Sequence, residues 1–351
     1  MKIVIAPDSF KGSLTAREAA QSIESGILKV LPEAECVSIP MADGGEGTVQ
    51  SLVDATGGRI MRVLVTDPLG HPTNAEYGIL GDGRTAVIEM AAASGIQYID
   101  ETTRNPLIAT TYGTGELIKD ALEQGVSDII VGLGGSATND GGAGMAQALG
   151  VRLLDDNGAP LPFGGAALAE LSEVDVSGLD PRLADVHIRL ASDVTNPLTG
   201  VRGASAVFGP QKGATPDMVE RLDDALAHYA AVIRKQLGRE VETVPGAGAA
   251  GGLGAGFLAF AEASMRSGVD LVIEATGLAG LAAGADYCFT GEGGIDFQTQ
   301  YGKTPMGVAR AVKQASPDCT VVALAGSIGE GIDQLYDLGI DAIFGIMPGV
   351  S

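Results

Sequence analysis

Apolar residues come in short continuous runs at both ends of the chain, each followed by a polar, glycine-bearing segment and then by a stretch with helical spacing. Lys2 to Ala6, Glu35 to Ala42, Asp286 to Thr290, Thr320 to Ala325 and Ala342 to Met347 carry the pattern of buried strands. Ala16 to Leu31, Gly47 to Ala55, Thr304 to Ala315 and Ile332 to Leu338 carry the helical pattern between them. Strands alternating with helices predict an α/β fold with a parallel sheet, here a flavodoxin-like one built from both chain ends. The middle has a different rhythm: Arg62 to Thr66, Ala75 to Leu80 and Thr85 to Met90 are separated by turn signals at Pro68 to Gly70 and Gly81 to Gly83, which predicts antiparallel hairpins. We therefore expect a discontinuous flavodoxin-like domain of residues 1–66 and 284–351, interrupted by a second, inserted α/β domain of residues 67–283.

Charge and composition remove several classes of function. With 22 Lys+Arg against 44 Asp+Glu the formal net charge is −22, and aromatic residues make up 4% with no Trp. Such a chain repels nucleic acid and acidic membrane surfaces and offers few platforms on which bases stack. The opening MKIVIAP enters a strand directly and lacks the parts of a signal peptide. The uncharged stretch between Glu242 and Glu262 contains Pro245 and is dense in Gly and Ala, which suits a buried loop and helix better than a membrane span. Cys36, Cys288 and Cys319 have no metal spacing and sit in apolar runs, as free thiols do in a reducing compartment. These features predict a cytoplasmic enzyme acting on a small molecule, with no nucleic-acid or membrane partner. They do not specify an oligomeric state.

Polar loops after the terminal strands read DSFKGS, ADGGEGT, TGEGG and AGSIGEG. Open α/β sheets bind ligands at the carboxyl ends of their strands, so these loops should line one wall of a cleft. The densest glycine segment is GLGGSATNDGG, residues 132–142, directly after Ile129, Ile130 and Val131. It is not a Walker A loop, because no G-K-[ST] follows. Gly132, Gly134 and Ala137 do match G-x-G-x-x-A with Asp155 and Asp156 at about the spacing of a ribose ligand, and GAGAAG (246–251) is a second match ahead of Asp270 and Glu274. An NAD-dependent dehydrogenase of a small hydroxy acid, or a non-catalytic nucleotide-binding module, are thus alternatives. Against the dinucleotide stand Asp140, which would repel a pyrophosphate unless a metal ion intervened, and Pro245 with only Val241 and Val244 where a central strand is needed. The backbone of Gly134 and Gly135 with the side chains of Ser136, Thr138 and Asn139 suits a phosphate chain, with Asp140 capping the helix that runs to Leu149.

Lys11, Lys212 and Lys303 each adjoin a glycine, and in so acidic a chain they point to oxyanions, the alternative being solvated turn lysines. His71, His187 and His228 lie outside every glycine-rich loop, so a histidine mechanism is not expected. In ASDVTNPLTG (191–200), Asp193 stands where a strand ends and could bind Mg²⁺ or orient a substrate hydroxyl, an Asx-turn being the alternative.

Seven segments in order, MKIVIAPDSFKGSLTA, PMADGGEGT, GLGGSATNDGGAG, ASDVTNPL, GPQKGA, GAAGGLGAGF and TGEGGIDFQTQYGKTP, resemble the bacterial type I glycerate kinase family over essentially the whole chain. The resemblance implies ATP-dependent, Mg²⁺-assisted phosphorylation of D-glycerate, in most members to 2-phosphoglycerate. On that basis Asp193 is the base or the metal ligand, Lys11 and Lys212 neutralise phosphate, and GLGGSATNDGG holds the phosphates. Asp8, Asp43, Glu46, Glu292 and Lys303 then line the glycerate side. Family members usually continue for a further helix beyond the MPGVS at which this sequence stops.

Overall fold

Ile3, Val4, Ile5 and Ala6 are all buried and form β1 (Lys2–Pro7), a central strand with no solvated face. The computed structural model describes residues 1–347. Helix α1 (Ala16–Val30) starts at Thr15 through a capping box, in which Thr15 Oγ1 accepts from the Glu18 amide and Glu18 accepts from the Thr15 amide. It is followed by β2 (Glu35–Ser38) and α2 (Thr48–Thr56). β2 is shorter than expected, because Ile39 to Ala42 are buried without pairing as strand.

The chain then forms β3 (Arg59–Thr66), β4 (Pro72–Ile79), β5 (Thr85–Glu89), α3 (Ala91–Ser94), α4 (Tyr112–Glu123), β6 (Asp128–Gly132) and α5 (Ala143–Ala148). β7 (Arg152–Leu154), β8 (Glu173–Asp175), β9 (His187–Ala191), α6 (Ala204–Phe208), α7 (Pro216–Leu237), α8 (Ala249–Phe260) and β10 (Ser264–Arg266) complete this part. Six strands make one mixed sheet in the order β10-β9-β6-β5-β4-β3. The expected antiparallel pairing is present at β4–β5, while β5, β6, β9 and β10 run parallel.

On its return the chain forms α9 (Gly268–Thr276), α10 (Leu278–Leu281), β11 (Tyr287–Ile295), α11 (Thr304–Ala315), β12 (Thr320–Ile328), α12 (Asp333–Asp337) and β13 (Ala342–Gly345). The resulting sheet is all parallel in the order β13-β12-β11-β1-β2, which is the flavodoxin-like 2-1-3-4-5 when its own strands are counted in sequence. β11 and β12 run beyond the apolar residues that announce them, since the glycine-bearing segments continue the pairing to Gly294 with Ser327 and Ile295 with Ile328.

Contacts divide the chain into two compact units, one of Met1–Arg59, Leu80–Asp82 and Ser267–Ser351, the other of Ile60–Ile79 and Gly83–Arg266. The return crossing thus falls after Arg266, whereas the sequence pattern suggested residue 283. The difference is α9 and α10: α9 packs on α2 and α11, and Gly307 lets α11 approach so closely that a Cβ there would lie 2.4 Å from Val269. No helix among the described residues is long and apolar enough to cross a membrane. Cys36, Cys288 and Cys319 are free thiols, the last two buried.

Candidate functional site

In the first unit β1 and β11 lie side by side, and the chain leaves one toward β2 and the other toward β12, so the switch point of the sheet lies between them. Ligand crevices form there, at the carboxyl ends of the strands. Asp8 follows β1. Its Oδ1 accepts from the Ser9 amide at 2.6 Å and its Oδ2 from Thr304 Oγ1 at 2.6 Å. Burial raises its pKa above the ordinary value and the Asp43 charge adds to the rise, while the Thr304 bond and Lys11 oppose it.

Glu292 lies in the glycine-bearing end of β11. Burial pushes its carboxyl up to about 7, with Lys303 pulling down and Asp8 and Asp43 pushing up. Thr299 Oγ1 donates to Glu292 Oε1 at 3.4 Å, and Lys303 Nζ stands 3.8 Å from Oε1 and 3.9 Å from Asp296 Oδ1. Lys303 is also the N-cap of α11, whose first turn contains Pro305, so its backbone is held by a rigid helix start. Asp43 turns its Oδ1 to the Gly45 amide at 3.0 Å. Lys11 is exposed on the β1–α1 loop, whose backbone lies above Gly293: a Cβ there would come 3.6 Å from the Lys11 amide nitrogen. Glu46 is exposed and, with Lys11, Arg17 and Gln50, lines a cleft of about 300 Å³ between this loop and the start of α2. Carboxyls with raised pKa beside lysines can take or return a proton near neutral pH.

The second unit holds the other candidates. Gly134 and Gly135 are exposed just past β6, and Gly135, in the left-handed region, accepts from the Ile96 amide at 2.8 Å. Ser136 bridges to Gly95. Beyond it Thr138, Asn139 and Asp140 are fully buried. Asp140 accepts from the Thr111 amide at 2.8 Å, from Thr111 Oγ1 at 2.9 Å, and from the amides of Gly142 and Gly144 at 3.2 Å each. Burial nevertheless raises its pKa. The last two bonds tie down the start of α5, although Gly142 rather than Asp140 is the cap residue. Lys212, also fully buried, donates from Nζ to the Thr138 carbonyl at 2.6 Å. Burial brings its pKa down to about 7 against the attraction of Asp140. Asp193 stands two positions past the end of β9 and is exposed.

This geometry corrects part of the sequence reading. Thr138, Asn139 and Lys212 were expected against phosphate oxygens, but all three are fully buried, Lys212 donating to the Thr138 carbonyl and Asn139 Nδ2 to Ser205 Oγ, which leaves the Gly134–Gly135 turn as the accessible part of the motif. Neither dinucleotide match has the context it needs. After GLGGSA no helix begins until Ala143, β7 pairs antiparallel with β8, and Asp155 closes its own turn with the amides of Asn157 and Ala159. No strand precedes GAGAAG, and its Gly248 and Gly251 press against backbone: a Cβ would lie 2.2 Å from the Pro197 carbonyl oxygen and 1.9 Å from that of Thr138. Thr304 and Thr299 were not foreseen, although Thr304 is inside the YGKTP motif; Thr111, which ties down Asp140, carries no sequence signal.

Comparison with known proteins sets these clusters in context. The model of a family described as the glycerate kinase family matches residues 3–351. A Bacillus subtilis protein named glycerate kinase is 56% identical over 99% of this chain and 91% of its own length. An Escherichia coli protein named glycerate 2-kinase is 52% identical over 100% of this chain and 92% of its own. The crystal structure of a Salmonella typhimurium LT2 protein, provisionally described as glycerate kinase 2, matches with a TM-score of 0.92 at 53% identity, covering 98% of this chain and 90% of that one.

Proposed function

Because the chain belongs to the glycerate kinase family, and so is a phosphotransferase with an alcohol group as acceptor, we propose that it transfers a phosphoryl group from ATP to D-glycerate, on the 2-hydroxyl. The observation that carries this reading is the cluster of Asp8, Glu292, Lys303 and Thr304 at the switch point of the flavodoxin-like sheet. Lys303 and Lys11 offset the substrate carboxylate in a strongly acidic chain. Glu292, balanced near neutrality, accepts the hydroxyl proton, and Asp8 is held rigid by Thr304 and Ser9 to receive the neighbouring hydroxyl. Asp43 strengthens the basicity of both carboxylates by its charge.

The exposed Gly134–Gly135 turn offers backbone amides to phosphate oxygens. Mg²⁺ in kinases takes one or two carboxylates and leaves its other positions to water and phosphate, a donor set that Asp193 fits as an exposed strand-end carboxylate. Bound there, the ion would neutralise charge on the phosphates. The three free thiols and the use of ATP support a cytoplasmic reaction.

An enzyme-coupled assay of ADP release tests the reading. We expect ADP formation that requires both D-glycerate and Mg²⁺ and is not supported by L-glycerate. Absence of ADP formation would overturn it, and a nicotinamide absorbance change without ATP would move the chain to the dehydrogenase class.

A further inference from the structure

Behind the accessible Gly134–Gly135 turn lies a polar cluster that substrate cannot touch. Lys212, Tyr229, Thr138, Asn139 and Asp140 are all fully buried. A buried ammonium is costly, and here it donates to a neutral carbonyl, that of Thr138, with Asp140 as the charge that acts on it. Burial holds the Tyr229 phenol neutral beside Asp140. Thr138 Oγ1, Asn139 Oδ1 and Tyr229 Oη have no hydrogen-bond partner. A cluster selected for stability alone would be apolar or fully paired, so this one has another reason to exist.

Position supplies the reason. The Thr138 carbonyl is where the segment leaving the turn passes into the interior. Lys212 donates to it at 2.6 Å. α8 also reaches it, entering with Ala250, Gly251 and Gly252 all in the left-handed region, which brings backbone against the Thr138 carbonyl and the Asn139 Cα. One residue on, the Asn139 side chain donates from Nδ2 to Ser205 Oγ at 2.9 Å, and Asp140 is tied to Thr111 and to the start of α5. The turn is therefore clamped immediately behind its exposed glycines. Glycines supply no side-chain packing of their own, so the direction of their amides is set by this clamp.

We infer that Lys212 is a positioning residue for phosphoryl transfer: through the Thr138 carbonyl it fixes the backbone of the Gly134–Thr138 segment, and it contacts no substrate atom. This deepens, and rests on, the assignment of that turn to phosphate.

Lys212→Met keeps an unbranched side chain one atom shorter and removes its charge and donors. Wild-type turnover of ATP and D-glycerate is measured first; without it the kinase reading itself fails. Given turnover, we expect K212M to lose about 30-fold or more in kcat while KM for D-glycerate stays within about threefold, the pattern of an interaction that matters in the transition state rather than in ground-state binding. Amide hydrogen exchange in a peptide spanning residues 133–139 should quicken by about tenfold or more as the clamp loosens. D140N/K212M should be no less active than K212M, because the pair acts as a unit. A K212M kcat within about threefold of wild type overturns the inference. So does lost activity with unchanged exchange, which would mean direct action on substrate. Should K212M not fold, D140N/K212M, which leaves no unpaired buried charge, carries the same two readouts.

Discussion

Glu292 is predicted to cost the protein stability at the pH where it works. Its carboxyl is raised from an ordinary 4.5 to about 7, chiefly by burial. A folded-state pKa above the unfolded one means that the bound proton stabilises the fold fully below about 4.5, and that this contribution is lost as pH rises through about 7. At ~1.4 kcal/mol for each pH unit of displacement, the ionised carboxylate is worth up to ~3 kcal/mol of destabilisation above pH 8. Gln cannot ionise but retains an amide that can bond Thr299, and its neutrality also removes repulsion from Asp8. Glu292→Gln should therefore be more stable than wild type at pH 8 by up to ~3 kcal/mol, with most of the gain gone at pH 5. At the same time kcat should fall about 100-fold through loss of the proton acceptor. Urea midpoints of both proteins at the two pH values, with turnover at pH 8, make the comparison. An equal stability difference at pH 5 and pH 8 would refute the electrostatic reasoning, and turnover within about threefold of wild type would remove Glu292 from proton transfer.

Lys11→Ala should reduce kcat/KM by about 100-fold or more without lowering Tm, since the side chain is exposed; a loss below about threefold would return it to a solvated turn lysine. Asp193→Asn should lose roughly 100-fold in kcat with a shifted Mg²⁺ dependence, and an unshifted dependence would count against the metal-ligand role. Near-normal turnover at saturating ATP and Mg²⁺ would remove Asp193 from the mechanism. Gly251→Ala places a Cβ 1.9 Å from the Thr138 carbonyl oxygen at a φ of +69°, so it should sharply reduce soluble, folded protein. An unchanged Tm would contradict the packing described for α8.

The terminal sheet was readable in the sequence because its strands are continuous apolar runs and its helices carry punctuation; α11 has the expected bounds, with Pro305 in its first turn. The return crossing was not readable, since the helical pattern of α9 says nothing of which body it joins. That is decided by small residues such as Gly307, which admit Val269. Asp8, Glu292 and Lys303 were visible as charged residues at strand ends and helix starts, and the switch point gathers them. Thr138, Asn139 and Lys212 look the same in sequence whether they face a phosphate or one another. The decision rests on the left-handed turn at Ala250 to Gly252, far along the chain, which packs the motif into the interior.

The most direct test of the central claim is phosphorus NMR of the product formed from ATP, Mg²⁺ and D-glycerate. Transfer to the 2-hydroxyl predicts a new phosphomonoester resonance, split into a doublet by the single proton on C2, that grows in step with ADP. A triplet from the two protons of C3 would contradict the proposed site of transfer, and the absence of any phosphomonoester would contradict the kinase account itself.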